Sequence, residues 1–163
     1  MKHIILSGLF LSCSQLMMSQ LISNSPVETS SQLSASHSET PAQIVENFFT
    51  AFHAQDTTAM RQLTSASILQ QTIVSSTNDQ TEKVIPVNFN LFLERIASME
   101  EHSFKEDILS YEVSEAGGMS HVWTAYSFSV DGNFSHKGVN SFLLVSIGGH
   151  WKIAHIIDTR TKD

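Results

Sequence analysis

The first regular pattern of hydrophobic positions in the chain has the spacing of a helix. Ile44, Phe48 and Phe52 recur every fourth residue, which places them on one face of a helix. Thr40 precedes this run, and Gln43 lies three residues after Thr40. This is the spacing of a capping box. The pattern predicts a first helix that begins after Thr40 and packs its aromatic face against a sheet.

Two further helices are predicted from capping residues followed by apolar positions. Asp56 can cap a helix that carries Met60 and Leu63. Asn88 can cap a third helix, whose apolar positions are Phe89, Phe92, Leu93 and Ile96.

The last third of the chain, from Met119 to Arg160, predicts three β-strands joined by two tight turns. Asp131, Gly132 and Asn133 form the first turn, and a Gly-Gly pair forms the second. Turn residues between β-branched and aromatic runs are a strong hairpin signal. Shorter strands are predicted upstream, at Ile68 to Val74, Lys83 to Val87 and Asp107 to Glu115. Helices followed by consecutive antiparallel strands indicate the α+β class.

Composition limits the classes of function. A chain of 163 residues with 41% hydrophobic content suits one globular domain. The net charge of −7 and nine scattered basic residues argue against a nucleic-acid partner. Cys13 is the only cysteine, and it lies in an N-terminal apolar segment that is expected to be cleaved off or lipidated. No free thiol then remains, so disulfides, zinc–thiolate sites and a cysteine nucleophile are excluded. No histidine pair has helical HxxxH spacing, and the prediction is that the protein has neither a metal site nor a cofactor.

The N-terminus predicts export. Lys2 precedes an apolar run from Ile4 to Leu11, which is short for a membrane span and typical of a signal peptide. Cleavage after Ser19 makes residues 1–19 the signal peptide. The alternative is a lipoprotein signal with Cys13 as the lipidated residue, and membrane attachment is expected only in that case.

Residues 20–39 are rich in Ser, Thr, Asn and Gln, and their low apolar content predicts a flexible linker. The globular domain is therefore predicted to span residues 40–163. The mature protein is expected in the periplasm, secreted, or anchored as a lipoprotein.

The order of elements resembles the nuclear-transport-factor-2-like, or SnoaL-like, superfamily. A group of exported bacterial members has a similar C-terminal signature, here Val122, Trp123, Tyr126, Phe128, Phe134, Ser135, His136 and Gly138, then Gly149, Trp151, Lys152, Ile153, Ile157, Asp158, Thr159 and Arg160. Lys137 stands where that group often has cysteine. The resemblance implies a cone-shaped, cystatin-like domain in which a curved antiparallel sheet wraps around about three helices. The superfold hosts unrelated activities, so it leaves the function open.

Four polar residues within this signature are the candidate ligand-binding residues, namely Tyr126, His136, Asp158 and Arg160. Asp158 and Arg160 lie two apart on a strand and so share a face. The face of His136 depends on the hairpin register. A turn of Asp131 and Gly132 alone places His136 with Trp123. A turn that includes Asn133 places it with Tyr126 and Phe128, and this is the register we predict because it groups the more apolar positions.

Three functions remain open from the sequence. The first is an exported protein that binds a small apolar or mixed-polarity molecule in the cone. The second is an enzyme of the isomerase or dehydratase type, with Asp158 as base and Tyr126 or His136 as proton donor. The third is an interaction module that forms a homodimer through the sheet. Trp123 and Trp151 are predicted to stabilise the sheet in all three cases.

The export prediction can be tested by N-terminal sequencing of protein recovered from cell fractions. We expect the mature chain to begin near Gln20, or at a lipidated Cys13, because the apolar run after Lys2 is the signal for translocation. A cytoplasmic product that still begins at Met1 would contradict export.

Overall fold

The computed structural model describes residues 39–75, 81–100 and 103–162. The signal peptide predicted for residues 1–19, Cys13 and nearly all of the linker predicted for residues 20–39 lie outside this part of the chain. They stay predictions.

Three helices form where the apolar spacing predicts them. They are α1 (Pro41–His53), α2 (Thr57–Leu63) and α3 (Phe89–Ser98). In α1 the Thr40 hydroxyl accepts the Gln43 amide and the Gln43 side chain accepts the Thr40 amide, so the predicted capping box is confirmed. Asp56 and Asn88 cap the other two helices through their side-chain oxygens.

Seven strands form one curved sheet in the order β2-β1-β7-β6-β5-β3, with β4 pairing the other end of β5. All pairs are antiparallel except β1 and β7, which run parallel. The strands are β1 (Thr64–Ser75), β2 (Glu82–Val87), β3 (Phe104–Ile108), β4 (Glu112–Ala116), β5 (Met119–Val130), β6 (Asn133–Ile147) and β7 (His150–Arg160). The α+β class with three helices against a mostly antiparallel sheet is thus as predicted.

The β5–β6 hairpin combines a two-residue turn with a bulge. Val130 pairs with Asn133, so only Asp131 and Gly132 form the turn, and both have positive φ angles of 49° and 74°, which suits a tight hairpin turn. The pairing then shifts by one residue between Phe128 and Ser129, so that Phe128 pairs with His136. His136 therefore shares a face with Tyr126 and Phe128 as predicted, although the bulge produces this register and Asn133 does not join the turn.

The prediction of a single strand from Asp107 to Glu115 is wrong in the bounds of the strand and in the side chains that face the core. It divides into β3 and β4, which pair with opposite halves of β5 in registers that differ by one residue. The alternating apolar residues Leu109, Tyr111 and Val113 are exposed. The side chains of β3 that face the helices come instead from Phe104, Glu106 and Ile108, two of which lie upstream of the predicted strand.

The core lies between the helices and the concave face of the sheet. Phe48, Phe49 and Phe142 form a triangle of edge-to-face rings with centroids 5.7–6.1 Å apart, a favourable aromatic geometry. Phe52 contacts Phe104 of β3, with centroids 4.7 Å apart. The prediction that the aromatic face of α1 packs on the sheet is therefore confirmed.

We expect Phe48→Ala to lower the free energy of unfolding by about 3–5 kcal/mol, because Phe48 is 4% exposed and its removal leaves a cavity against Phe142. Chemical denaturation measures this value. Leu91→Ala is the matched control, since Leu91 lies on α3 but is 62% exposed, and we expect a change within about 0.5 kcal/mol. An unchanged midpoint for Phe48→Ala would contradict the assigned core.

Candidate functional site

Polar side chains converge at one end of the mostly apolar concave face. They come from five strands and lie opposite one another through the sheet register. We refer to them as the polar cluster, which comprises Thr72, Glu106, Thr124, Tyr126, His136, Asn140, Asp158 and Arg160.

Asp158 lies at the centre of the polar cluster, and it is buried. Its Oδ2 accepts the Thr72 hydroxyl at 2.9 Å and the Arg160 Nε–H at 2.7 Å. The aspartate and arginine thus form an ion pair on the concave face, with Arg160 partly exposed to solvent. One carboxylate oxygen of Asp158 therefore accepts two donors, one of which is charged.

Glu106 supplies a second carboxyl group, which the sequence did not indicate. Asn140 Nδ2 donates to Glu106 Oε1 at 2.8 Å and to Thr124 Oγ1 at 3.2 Å. The pKa of Glu106 is raised to about 7. Burial is the main cause and the nearby Asp158 charge adds to it, while the hydrogen bond from Asn140 and the charge of Arg160 oppose the increase. The side chain of Glu106 therefore exchanges a proton near neutral pH, whereas Asp158 has a cationic partner.

Tyr126 is held in one orientation by the backbone of β7. Its hydroxyl donates to the Thr159 carbonyl at 2.9 Å. Gly138 allows this close approach, because a Cβ at that position would lie 1.9 Å from the Thr159 oxygen and 3.0 Å from a Tyr126 ring carbon. Burial, followed by the charges of Asp158 and Glu106, raises the pKa of Tyr126. Tyr126 is thus a neutral phenol at physiological pH.

His136 lies at the rim of the polar cluster and packs on aromatic rings. Its ring centroid is 4.9 Å from Phe128 and 5.8 Å from Tyr126. Its Nδ1 is 3.1 Å from the Ser135 hydroxyl. Burial, with the positive charge of Arg160 next in importance, lowers the pKa of His136, so the neutral imidazole predominates at pH 7.

The structure brings together all four residues predicted from the sequence, namely Tyr126, His136, Asp158 and Arg160. Sequence reasoning missed Glu106 and Asn140. Asn140 could have been found from its place on the predicted second strand, two residues before the inward-facing Phe142. Glu106 could not, because the apolar alternation of Leu109, Tyr111 and Val113 pointed to the wrong face.

The two tryptophans differ in environment. Trp151 packs against the hydrophobic core, in agreement with its predicted stabilising role. Trp123 instead lies on the outer face of the sheet and is 40% exposed, so it contributes less to the core than predicted.

Two surface depressions lie away from the polar cluster. One, of about 80 Å³, is lined by Ile44, Leu63 and Trp151, and the other, of about 310 Å³, runs between α1 and α2 beside Ala51 and Ala59. Neither depression is lined by a residue of the polar cluster, so the candidate site rests on its hydrogen-bonding chemistry. Within residues 39–75, 81–100 and 103–162, no group of three metal-ligating side chains is found. None of the helices in that same part of the chain has the length and apolar character needed to span a bilayer.

Residues 42–157 match the family model of the SnoaL-like domain. The match covers most of the chain, and the protein belongs to the SnoaL-like domain family. No curated protein matches the sequence.

Solved structures with the same fold come from several bacteria. A nuclear-transport-factor-2-like protein of unknown function from Pseudomonas putida KT2440 has a TM-score of 0.60 and 13% identity, over 75% of this chain and 84% of that chain. A second nuclear-transport-factor-2-like protein of unknown function, from Shewanella baltica OS155, has a TM-score of 0.53 and 14% identity, over 75% of this chain and 91% of that chain. A protein from Shewanella frigidimarina NCIMB 400, provisionally named a ketosteroid isomerase, has a TM-score of 0.54 and 14% identity, over 71% of this chain and 91% of that chain. At these identities the similarity concerns the fold alone.

Glu106→Gln should make the protein more stable at pH 8 by about 1–3 kcal/mol, with little change at pH 4. The folded-state pKa of about 7 lies above the ordinary value of 4.5. The folded protein therefore binds more protons than the unfolded chain between these pH values, and the free energy of unfolding falls as pH rises through them. Glutamine keeps the oxygen that Asn140 contacts and does not ionise.

Chemical denaturation at pH 4 and pH 8 measures this difference. Glu112→Gln is the matched control, since Glu112 lies exposed on β4, and it should change little at either pH. Equal stability of Glu106→Gln and the wild type at pH 8 would show that the Glu106 carboxyl titrates as a solvated group.

Proposed function

We propose that this protein is an exported binder of a small molecule of mixed polarity, which contacts the polar cluster on the concave face. The observation that carries the proposal is the convergence of Glu106, Asn140, Tyr126 and Asp158 on a face built mostly from apolar side chains. Small-molecule sites typically combine apolar walls with a few convergent polar groups.

A buried acceptor next to the polar cluster supports the same proposal. Gln70 precedes Thr72 by two residues on β1 and faces the same side of the sheet. Its side-chain oxygen is buried and has no hydrogen-bond partner among the described residues. An unpaired buried acceptor costs about 1–3 kcal/mol, and a donor on a bound molecule would remove that cost.

The surroundings of the polar cluster fit a ligand with both apolar and polar parts. Phe104 and Phe128 stack with their centroids 6.4 Å apart, and His136 extends this aromatic surface towards the rim. Arg160 uses its Nε–H for Asp158 and is partly exposed. An apolar part of the ligand would contact the rings, and a polar part would reach Glu106 and Asn140.

A second candidate function is proton transfer of the isomerase or dehydratase type. The observation that favours it is the pKa of Glu106, which lies at about 7, where a carboxyl group can both take and return a proton. We assign the base to Glu106 in place of Asp158, because Arg160 and Thr72 occupy the Asp158 Oδ2. Tyr126 or His136 would be the proton donor. The provisional ketosteroid isomerase from Shewanella frigidimarina has the same fold.

The third alternative, a homodimer through the sheet, is supported by one feature of the outer face. Trp123 is exposed there beside His121. Large apolar side chains on a sheet surface are typical of interaction sites. This alternative requires no ligand in the cone.

Native mass spectrometry of protein purified from its own host tests the three functions together. We expect a monomer mass increased by a retained small molecule, and His136→Ala should lower the retained fraction while changing the melting temperature little. Trp151→Ala is the matched comparison and should lower the melting temperature, because Trp151 packs on the core. A dimer mass without any small molecule would instead favour the interaction module. If His136→Ala unfolds the domain, His136 has a structural role.

Once a retained molecule is identified, incubation in D₂O separates binding from catalysis. A proton-transfer enzyme should exchange a carbon-bound hydrogen of that molecule for deuterium, and Glu106→Gln should abolish the exchange. A binder should show no exchange with either protein.

A further inference from the structure

The amide of Glu106 has an unusual partner for a strand residue. β3 is an edge strand, and β5 is its hydrogen-bonded neighbour in the sheet. Amides on the open side of an edge strand have no strand to pair with. The Glu106 N–H points to this side and donates to Nε2 of His53, the last residue of α1, at 3.0 Å. A histidine side chain thus joins the end of α1 to the residue that carries the titrating carboxyl group.

This hydrogen bond requires a neutral imidazole. Nε2 can accept only when it carries no proton, so the ring proton is on Nδ1. A protonated ring has donors at both nitrogens and offers the Glu106 amide no acceptor. The contact therefore exists in one protonation state of His53 and is lost in the other.

The groups around His53 come from α1 and β3. The Phe52 ring lies 5.4 Å from the imidazole. The Lys105 ammonium and the Asp107 carboxylate flank it and form an ion pair with each other at 2.6 Å. Burial lowers the pKa of His53 and Lys105 lowers it further, whereas Asp107 and, to a smaller extent, the Glu106 backbone oppose this decrease. The position of His53 at the C-terminal end of α1 also opposes the decrease, because helix C-termini favour a positive charge.

We propose that His53 is a protonation-sensitive positioning residue for the Glu106 carboxyl group. The neutral ring holds the Glu106 amide at the edge of the sheet, and this fixes the side chain against Asn140. Protonation of the ring releases the amide and frees the edge strand at this point. The geometric part of the proposal is independent of any ligand, and its consequence for binding rests on the proposed function.

The consequence is that a residue outside the polar cluster, His53, makes the site sensitive to acidification. As pH falls through the pKa of His53, the ring takes up a proton and the support of Glu106 is lost, so a molecule held by Glu106 and Asn140 should dissociate more readily. By linkage, that bound molecule should in turn lower the pKa of His53. His53 itself does not touch the ligand in this scheme.

The wild-type protein without ligand allows a first test by NMR. The ¹⁵N shifts of the His53 ring should identify the tautomer protonated at Nδ1. The Glu106 amide should show one step with the midpoint of its own carboxyl and a second step with the midpoint of the His53 ring. An Nε2-protonated ring, or a Glu106 amide that does not respond to the His53 titration, would overturn the proposal.

Two substitutions separate the acceptor from the titration. His53→Gln places an amide oxygen near the position of Nε2 and cannot take up a proton in this range. We expect the Glu106 carboxyl ¹³C midpoint to stay near that of the wild type. The step of the Glu106 amide that has the His53 midpoint should disappear, while the step that follows the carboxyl of Glu106 itself remains. His53→Phe removes the acceptor, and the carboxyl midpoint should fall by about 0.5 unit or more, because the freed strand edge admits water.

His150→Gln is the matched control, since His150 is exposed at the β6–β7 turn, and it should alter neither signal. A His53→Phe protein that is folded and titrates Glu106 as the wild type does would show that His53 is merely structural. If His53→Phe does not fold, His53→Gln decides, because a Glu106 amide step that persists at the wild-type His53 midpoint in that variant contradicts the proposal. None of these readouts uses a ligand, so an absent ligand in native mass spectrometry would overturn the proposed function and leave this result intact.

Discussion

The register of the β5–β6 hairpin is the constraint on which the candidate site depends. Side chains alternate between the two faces of a strand, so a shift of one residue would send every inward group to the outer surface. The two-residue turn alone would pair Phe128 with Ser135 and would turn His136 outwards. The bulge opposite Phe128 adds one residue, and this restores the face on which His136 lies with Tyr126. From Gly138 to Leu144 the pairing of β6 with β5 is then regular. On its other side β6 pairs with β7, and Asn140 lies beside Asp158.

The same register creates an electrostatic cost that the protein resolves differently for its two inward carboxyl groups. A buried carboxylate is costly unless a cation or donors compensate it. Asp158 accepts hydrogen bonds from Arg160 and Thr72, so its charge is compensated. Glu106 receives only the amide of Asn140 among the described side chains, and the pKa of Glu106 consequently rises to about 7. Two similar groups on one face therefore have different partners, because the guanidinium of Arg160 donates to Asp158 whereas the neutral amide of Asn140 donates to Glu106.

Much of the fold could be predicted from the sequence because its signals are local. Capping residues, the four-residue spacing of phenylalanines and the Gly-containing turns each act within a few positions, and all appear in the structure. The division of residues 104–116 into β3 and β4 could not be predicted in this way. It depends on how each half pairs with β5, which is a long-range interaction. Leu109 and Tyr111 looked like an inward face and are exposed, so local alternation was misleading there.

The candidate site shows the same division between local and long-range information. Asp158 and Arg160 are two residues apart, and their pairing follows from strand geometry alone. Glu106 reaches the polar cluster only because β3 joins the edge of the sheet, and His53 meets its amide only because α1 ends at that edge. An edge strand leaves amides open to water or to another chain. Here His53, at the end of a helix, accepts the hydrogen bond of one such amide, that of Glu106. The contact satisfies the backbone of the edge strand. It also makes the placement of the titrating carboxyl group depend on the protonation state of a residue 53 positions away in the sequence.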